Sequence, residues 1–196
     1  VTIAVAFPFL VAWFCSPLAV WYISLRTPGK QMEVSREQEV YLRRLARKIW
    51  AFFENFVGKE DNWLPPDNYQ EHPVERTAHR TSPTNIGLYL LSNLSACDFG
   101  YITNSKLIER STNTLDTLHR MEKYPGHLFN WYDTISLMPL SPRYISTVDS
   151  GNLVGSLLTL RQAILKIPDT KILQENIFEG ILDTIGILRE KVPDVS

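Results

Sequence analysis

Thr147-Val-Asp-Ser-Gly-Asn152 and its upstream twin, Arg80-Thr-Ser-Pro-Thr-Asn85, are the stretches that organise this sequence. Each stretch closes a long loop rich in aromatic and polar residues, and each opens an apolar segment with helical spacing. Ser82 precedes a proline that suits the first turn of a helix, and Asp149 is a second candidate helix cap. These two junctions predict where a helical framework meets its functional loops.

Apolar side chains recur at helical spacing in five segments that flank these junctions, and no half of the chain is rich in β-strand signals. Glycine or proline residues follow the segments and mark their ends. Short extended pieces are expected at 128–131 and 143–146. The five predicted helices run from Ser35 to a stop at Gly58, Pro83 to Phe99, Ser105 to Lys123, Ser150 to Lys166, and Thr170 to Lys191.

Two long loops, Gly58 to Ser82 and Tyr124 to Asp149, alternate with short connections between these helices. In a run of antiparallel helices, alternate connections lie at opposite ends, so both long loops are expected at the same end. Long loops in compact domains are usually functional or disordered, and these contain too many aromatic residues for disorder. The sequence therefore predicts an all-α domain that carries two ordered polar and aromatic loops on one face.

The first 25 residues contain no charged side chain. A bilayer core of ~30 Å needs ~20 apolar residues in a helix, so this run is long enough to span it. A signal peptide and a buried core helix are the alternatives. Lys and Arg residues follow the run, which favours the cytoplasmic side for the rest of the chain. The predicted organisation is a transmembrane helix at 1–25, a linker at 26–34 and a helical domain at 35–196, in a piece of a longer protein.

Composition argues against several classes of function. A net charge of -1 offers no electrostatic case for nucleic acid. Cys15 and Cys97 do not make a disulfide framework. Pro73 interrupts the register of the neighbouring histidine and glutamate residues, which disfavours a metal site. The sequence has neither a glycine-rich phosphate loop nor a nucleophile elbow, so we predict no cofactor for this chain.

The residue types in the two long loops suit a carbohydrate. Aromatic rings contact the apolar faces of sugars, and Asp, Asn, Gln and Arg supply fixed hydrogen-bond partners for hydroxyls. Plainer roles stay open for several residues: Ser82 and Asp149 as caps, Asp67 and Asn68 as turn formers, Trp63 and Trp131 as loop anchors, and Arg80 as the partner of a loop carboxylate. The candidate binding residues are Asp67, Asn68, Tyr69, Gln70, Arg80, Thr81, Asn85, Asn130, Trp131, Tyr132, Asp133, Asp149, Ser150 and Asn152.

Glycosidic chemistry normally needs two carboxyl groups that flank the bond, ~5–5.5 Å apart for retention or ~6.5–9.5 Å apart for inversion. The loops offer several carboxylates, and the sequence pairs no two of them. These are Asp67, Glu71, Glu75, Asp133 and Asp149.

Four long motifs stand out in and beside the two loops: Pro65-Pro-Asp-Asn-Tyr-Gln70, Ala78-His-Arg-Thr-Ser-Pro-Thr-Asn-Ile-Gly-Leu-Tyr-Leu-Leu91, Gly126-His-Leu-Phe-Asn-Trp-Tyr-Asp133 and Pro142-Arg-Tyr-Ile-Ser-Thr-Val-Asp-Ser-Gly-Asn152. They resemble motifs of cyclic β-1,2-glucan synthases, and the resemblance covers about 35–165. It implies a middle domain with a glycoamylase-like α/α barrel of the six-hairpin toroid type, of which this chain holds an incomplete part after the last membrane helix.

The resemblance also implies a function. The middle domain of that family closes a linear β-1,2-glucan into a ring by transglycosylation, in the bacterial inner membrane. UDP-glucose and a divalent metal are expected only in a transferase region that this chain lacks. The catalytic acids are expected beyond Ser196, and the partners are β-1,2-glucan, membrane lipid and the rest of the longer chain. A β-glucan hydrolase and a non-catalytic sugar-binding scaffold are the competing functions.

Overall fold

The computed structural model describes residues 2–25, 34–170 and 174–191. By its internal contacts the chain divides into two compact units, Val1–Ser35 and Arg36–Ser196. Most of the predicted linker, residues 26–33, lies outside the described part. So do residues 171–173, near the predicted start of the fifth helix.

The first unit contains one helix, α1 (Thr2–Ser24). Its stretch Val5–Ser24 has a mean hydropathy of 1.6 and is long and apolar enough to cross a membrane. None of that stretch is buried inside the structure. Full exposure of an apolar helix fits a bilayer span or a signal sequence better than a buried core helix.

The second unit is built from helices, as the sequence predicts, with connections that include short strands. Each helix begins and ends within a few residues of its predicted bounds, except at the start of the last one. A 3₁₀ turn, Ile167–Asp169, comes before that last helix. The helices are α2 (Arg36–Phe56), α3 (Pro83–Asp98), α4 (Asn104–Arg120), α5 (Thr147–Ile164) and α6 (Asn176–Lys191).

Helix α3 is central to the second unit and packs against α2, α4 and α5. Its Ile86 and Leu90 are fully buried, as the apolar pattern predicts. The contact with α5 is close: a Cβ atom added at Gly87 would lie 2.7 Å from the Ser156 Oγ. This crossing fixes the first turns of α3 and α5 beside each other.

Three two-stranded antiparallel sheets interrupt the long loops. Strand β1 (Tyr69–Gln70) pairs with β2 (Arg76–Thr77) inside the first loop. The other strands are β3 (Arg80–Thr81), β4 (Lys123–Tyr124), β5 (His127–Leu128) and β6 (Tyr132–Asp133). Within the second loop β4 pairs with β5, whereas β3 pairs with β6 across the two loops.

Two predicted extended pieces need correction. Instead of one extended piece at 128–131, the chain forms two short strands at its ends, β5 and β6. They are separate because β5 pairs with β4, whereas β6 pairs with β3 of the first loop. The piece at 143–146 forms no strand; there, the Tyr144 carbonyl accepts a hydrogen bond from the Asn130 N–H at 2.9 Å.

The predicted start of α5 also needs correction. Ser82 caps α3 as expected and accepts the Asn85 N–H at 3.2 Å. Helix α5 begins at Thr147 rather than Ser150, because Ser146 is the cap and accepts the Asp149 N–H at 3.2 Å. Asp149 therefore lies inside the first turn, where its carboxylate does not cap the helix and is available for other contacts.

Helix α6 packs across α2 and the turn between α3 and α4. Asp183 and Thr184 accept hydrogen bonds from the Nε atoms of Arg43 and Arg47, each at 3.0 Å. A Cβ atom added at Gly180 would lie 2.2 Å from the Gly100 carbonyl oxygen, so the two backbones touch. Arg43 and Arg47 thus act as ties between helices as well as basic residues after the apolar run.

Candidate functional site

The two long loops meet through a backbone ladder. Arg80 of β3 pairs with Asp133 of β6, and Thr81 pairs with Tyr132. The predicted placement of both loops at the same end of the helices is confirmed by this pairing. Residues far apart in the sequence therefore line one surface.

Asp67 is the hub of the first cluster. Its Oδ2 accepts hydrogen bonds from Arg80 Nε at 3.1 Å and Arg80 Nη2 at 2.9 Å, and its Oδ1 accepts the Asn85 amide at 3.3 Å. Asn68 Nδ2 donates to the same Oδ2 at 3.1 Å. Four of the predicted binding residues thus form one network around a single carboxylate.

Arg80 is held on two sides. Besides its bonds to Asp67, its guanidinium carbon lies 5.2 Å from the centroid of the Trp131 ring, within the range of a cation–π contact. The side chain still has 53% of its surface exposed. A guanidinium held in this way presents donors to solvent in a fixed orientation.

A second cluster joins α3 to α5. Thr84 Oγ1 donates to Asp149 Oδ1 at 2.5 Å and accepts the Asn152 amide at 3.2 Å. Thr84 and Asn85 are neighbours, so the first turn of α3 connects both carboxylates, Asp149 through Thr84 and Asp67 through Asn85. Sequence reasoning missed Thr84, although its place directly after the Ser-Pro of a helix start was a usable signal.

A polar cleft of about 760 Å³ opens over the β1–β2 and β3–β6 pairs. Four predicted residues line it: Asn68, Gln70, Arg80 and Asp133. The other lining residues are Glu75, Arg76, Thr77, Ala78, His79 and Leu140.

Asn152 lines a separate groove of about 520 Å³ between α3 and α5. That groove also contains Thr84 and the two exposed glycines Gly151 and Gly155. The predicted residues are therefore split between two concave surfaces rather than gathered in one.

Several predicted residues support the loops from within. Tyr132 is fully buried; its hydroxyl donates to the Glu122 carbonyl at 2.6 Å and accepts the Phe129 N–H at 2.8 Å. Thr81 and Asn130 are also buried. The Tyr69 ring lies 4.6 Å from the Phe56 ring, which ties β1 to the end of α2.

Asp133 shapes a turn as well as lining the cleft. Its Oδ1 accepts the backbone N–H groups of Ile135 and Ser136 and the Ser136 hydroxyl. The Ser136 N–H is the main reason that the pKa of the Asp133 carboxyl lies below its usual range, although partial burial opposes the shift. This carboxylate is therefore a poor proton donor at neutral pH.

Asp61 and His79 form a further polar pair that the predicted set of binding residues does not include. The two side chains lie 2.8 Å apart between His79 Nδ1 and Asp61 Oδ1, and the Thr134 hydroxyl donates to the same oxygen. Asp61 is 6% exposed and His79 lines the cleft. The spacing of 18 residues between the partners hid the pair in the sequence.

Comparison with known proteins places this geometry in context. No family model matches the chain. Over 195 residues, 97% of this chain, the sequence is 44% identical to the cyclic beta-(1,2)-glucan synthase NdvB of Rhizobium meliloti, and it spans 7% of that protein's length.

Solved structures show the fold. A glucoamylase-like protein from Bacteroides fragilis matches 84% of this chain with a TM-score of 0.56 and 13% identity, over 38% of its own length. An endo-beta-1,2-glucanase from Chitinophaga pinensis, solved with sophorotriose and glucose, matches 79% with a TM-score of 0.51 and 14% identity, over 36% of its length. The predicted all-α fold, an incomplete α/α barrel after one apolar helix, is confirmed. Over nearly its whole length the chain is therefore similar to a short segment of a cyclic β-(1,2)-glucan synthase, and it folds like part of a glucoamylase-like α/α barrel.

Proposed function

We propose that this chain is part of a membrane-bound cyclic β-1,2-glucan synthase, in which its helical unit binds linear β-1,2-glucan for closure into a ring by transglycosylation. The observation that carries this proposal is the 44% identity to such a synthase across 195 residues. The match covers 7% of the relative. In this proposal the transferase chemistry with UDP-glucose and a divalent metal, which the family resemblance implies, belongs to other regions of the synthase.

The polar cleft is the surface that we assign to the glucan. A glucose ring presents hydroxyls at its edge, and each hydroxyl both donates and accepts hydrogen bonds. Arg80 offers donors in a fixed orientation, while Asn68, Gln70 and Asp133 offer acceptor oxygens around it. Groups that are ordered before binding lose little conformational entropy when the sugar arrives.

Ring closure breaks one glycosidic bond and passes the sugar to a hydroxyl of the same glucan, which loses its proton. A carboxylic acid must protonate the leaving oxygen, and a second carboxylate must act on the opposite side of the bond. In the described residues Asp67 is saturated with donors, and the Asp133 carboxyl has a lowered pKa. Neither carboxylate is suited to protonate the leaving oxygen. In line with the family resemblance we propose that the catalytic acids lie beyond Ser196, and we expect the isolated chain to bind glucan weakly without turnover.

We propose that the apolar helix α1 anchors the chain in the bacterial inner membrane, because it is long and apolar enough to cross a bilayer. Seven Lys and Arg residues lie between Arg26 and Lys48, and such an excess close to a span favours the cytoplasmic side. Digestion of inside-out and right-side-out vesicles with protease tests the orientation. Cleavage of the helical unit from the periplasmic side would contradict it.

A segment swap tests the function. In the swapped synthase, the matching segment of the Rhizobium meliloti protein is replaced by residues 1–196. We expect it to convert linear β-1,2-glucan into cyclic products. Linear shortened products would instead indicate a hydrolase. No glucan conversion and no glucan binding would contradict the proposal, and binding alone would indicate a scaffold.

Two arginine variants of the swapped synthase test whether the cleft contributes to cyclisation. Arg143 pairs with Glu122 at 3.3 Å and lies 5.9 Å from the Phe129 ring, which resembles the environment of Arg80. Arg143 is absent from the cleft lining, so Arg143→Ala is a matched control. Because bonds from a charged donor are strong, we expect Arg80→Ala to lower cyclisation roughly tenfold or more, while Arg143→Ala leaves it unchanged.

A further inference from the structure

We propose that His79 is a further glucan-binding residue, whose Nε2 accepts a hydrogen bond from a sugar hydroxyl while buried Asp61 holds the ring in place. The inference rests on the proposed function, since it names one more group for the same cleft. It concerns two residues that the loop composition alone did not select.

The position of Asp61 comes from a tight turn after α2. Asn62 and Trp63 both have positive φ angles, of 52° and 60°, and the Leu64 N–H donates to the Asp61 carbonyl at 2.9 Å. The Asn62 amide fastens this turn to the second loop through the carbonyls of Thr134 and Ile135, both at 2.9 Å. The Asp61 carboxylate is thus buried beside the segment that follows β6, where it accepts the Thr134 hydroxyl.

The tautomer of His79 follows from this carboxylate. A carboxylate oxygen only accepts hydrogen bonds, and Thr134 Oγ1 already donates to the oxygen of Asp61 that lies near His79. At 2.8 Å from that oxygen, His79 Nδ1 must carry the proton. In the neutral ring Nε2 is then an acceptor, because the proton on one ring nitrogen leaves a lone pair on the other.

We assign the remaining ring nitrogen, Nε2, to the cleft. The His79 side chain has 45% of its surface exposed and lines the cleft beside Arg80 and Asp133. The His79 carbonyl accepts the Thr134 N–H at 3.0 Å, which ties the backbone directly to the second loop. The ring is tied to that loop through Asp61, which accepts the Thr134 hydroxyl. Within the described ranges, no residue hydrogen-bonds to Nε2. An oriented acceptor next to the Arg80 donors is the arrangement that two neighbouring sugar hydroxyls require.

Two substitutions separate binding from loop support. An asparagine amide occupies the place of Nδ1, so His79→Asn keeps a donor for Asp61 and removes the acceptor in the cleft. A glutamine amide reaches the place of Nε2, so His79→Gln restores a polar atom there. In the swapped synthase we expect His79→Asn to raise KM for linear β-1,2-glucan roughly two- to tenfold, as the loss of one neutral hydrogen bond predicts. We expect kcat and the melting temperature to stay close to those of the parent, and His79→Gln to recover part of the loss in KM.

A control histidine outside the cleft accompanies these variants, and the outcomes separate the role of His79 from the proposed function. His127 is an exposed histidine of β5 that does not line the cleft, and His127→Asn should leave KM unchanged. A parental KM for His79→Asn, with cyclisation intact, overturns the role of His79 and leaves the proposed function standing. A swapped synthase without cyclisation or glucan binding overturns both.

A readout without substrate checks the geometry. Nitrogen-15 chemical shifts of His79 in the complete chain should report the Nδ1–H tautomer, and Asp61→Ala should abolish that preference. An Nε2–H tautomer in the parent chain would overturn the inference, because Nε2 would then be a donor rather than an acceptor.

Discussion

Arg110 shows how much one residue contributes to this unit. It is 6% exposed, and its Nη2 donates to the carbonyls of Phe53 at 2.8 Å and Val57 at 3.3 Å, at the end of α2. Its Nε lies 3.0 Å from the Tyr89 hydroxyl, and its guanidinium lies near the Trp50 and Trp63 rings. Among the described side chains, no carboxylate lies within ion-pair distance of the Arg110 guanidinium. The carbonyl end of α2 carries partial negative charge, and this charge compensates the buried positive charge of Arg110.

Arg110→Ala should therefore destabilise the helical unit. The change leaves buried carbonyl and hydroxyl groups without a donor and removes the packing between three aromatic rings. We expect the free energy of unfolding to fall by about 3 kcal/mol. Arg120→Ala is the control, because Arg120 is exposed and, among the residues that the structure describes, its side chain bonds only to the Thr117 hydroxyl on its own helix. If urea denaturation shows equal losses of unfolding free energy for both variants, the proposed role of Arg110 is wrong.

Tyr101 makes stability depend on pH at alkaline values. Burial, followed by the negative charge of Asp183, raises the pKa of the Tyr101 phenol from 10.0 to about 12. The phenol contributes its full stability below pH 10, and that contribution is lost as pH rises to about 12, because the unfolded chain ionises first. Tyr101→Phe should lower stability below pH 10, where it loses the contacts to the Arg43 carbonyl and Asp183. The gap between parent and variant should narrow towards pH 12, and a constant gap in unfolding experiments would refute this cause.

At the scale of elements, the backbones of α6 and of the turn after α3 lie in close contact. Gly100 follows α3 with a φ of 78°, and a Cβ atom there would lie 1.9 Å from the Asn176 carbonyl oxygen. Asn176 in turn donates its amide to the Cys97 and Asp98 carbonyls at 3.1 and 2.9 Å, which caps the end of α3. The packing of α6 against the end of α3 thus depends on Gly100, which the sequence analysis identified only as the end of a helix.

Gly100→Ala should loosen α6 from the unit. Both the positive φ and the overlap with Asn176 oppose a side chain, so we expect a loss of about 2–3 kcal/mol and faster hydrogen exchange in α6. Gly155→Ala is the matched contrast, since a Cβ atom there meets nothing within 4 Å and the residue lies inside α5. It should add about 0.5–1 kcal/mol through helix propensity. Similar effects of both substitutions on the unfolding free energy would show that α6 does not rest on Gly100.

The start of α5 changes what a substitution at Asp149 means. Asparagine at this position can still accept the Thr84 hydroxyl through its amide oxygen, and Ser146 still caps the helix. Asp149→Asn should therefore keep the fold. We expect it to lower cyclisation by the swapped synthase roughly tenfold, because a neutral amide oxygen binds a sugar hydroxyl more weakly than a carboxylate does. Parental cyclisation with an unchanged melting temperature would limit Asp149 to joining α3 and α5.

At the scale of the whole molecule, apolar side chains remain uncovered on several helices. Leu88 of α3, Val154 and Leu158 of α5, and Phe178 and Leu182 of α6 are each at least half exposed. Contiguous exposed apolar patches of more than several hundred Å² mark interaction surfaces or aggregation risk. This exposure agrees with a part of a barrel, since the chain matches 38% of the length of a solved α/α neighbour.

Helix α1 should decide where the chain fractionates. The chain of residues 1–196 is expected to stay with membranes after an alkaline wash, because a predominantly apolar helix of 20 residues is long enough to span the bilayer core. Deletion of residues 1–25 should move it out of the membrane fraction. If both forms partition alike in sedimentation, the apolar helix is not an anchor and the exposed faces of the second unit hold the chain.

The sequence by itself determined the elements of this protein. Apolar spacing and the stops at Gly58 and Gly100 located the helices, since local periodicity and backbone preference act within a few residues. The motifs around Arg80 and Asp149 indicated a glucan-processing enzyme. The alternation of long and short connections placed both functional loops at one end, because hairpin geometry follows from loop length.

Only the tertiary structure decided which loop residues meet. Asp61 and His79 are 18 residues apart, Thr84 and Asp149 are 65 apart, and their contacts arise from the β3–β6 ladder and the close crossing of α3 and α5. The tertiary structure also distinguished residues that line the cleft, such as Arg80, from buried residues that support it, such as Tyr132. Both residues lie in loops rich in polar and aromatic side chains, so the sequence did not tell these two roles apart. The physical reason is that side-chain pairing depends on packing between distant segments, which local sequence preferences do not encode.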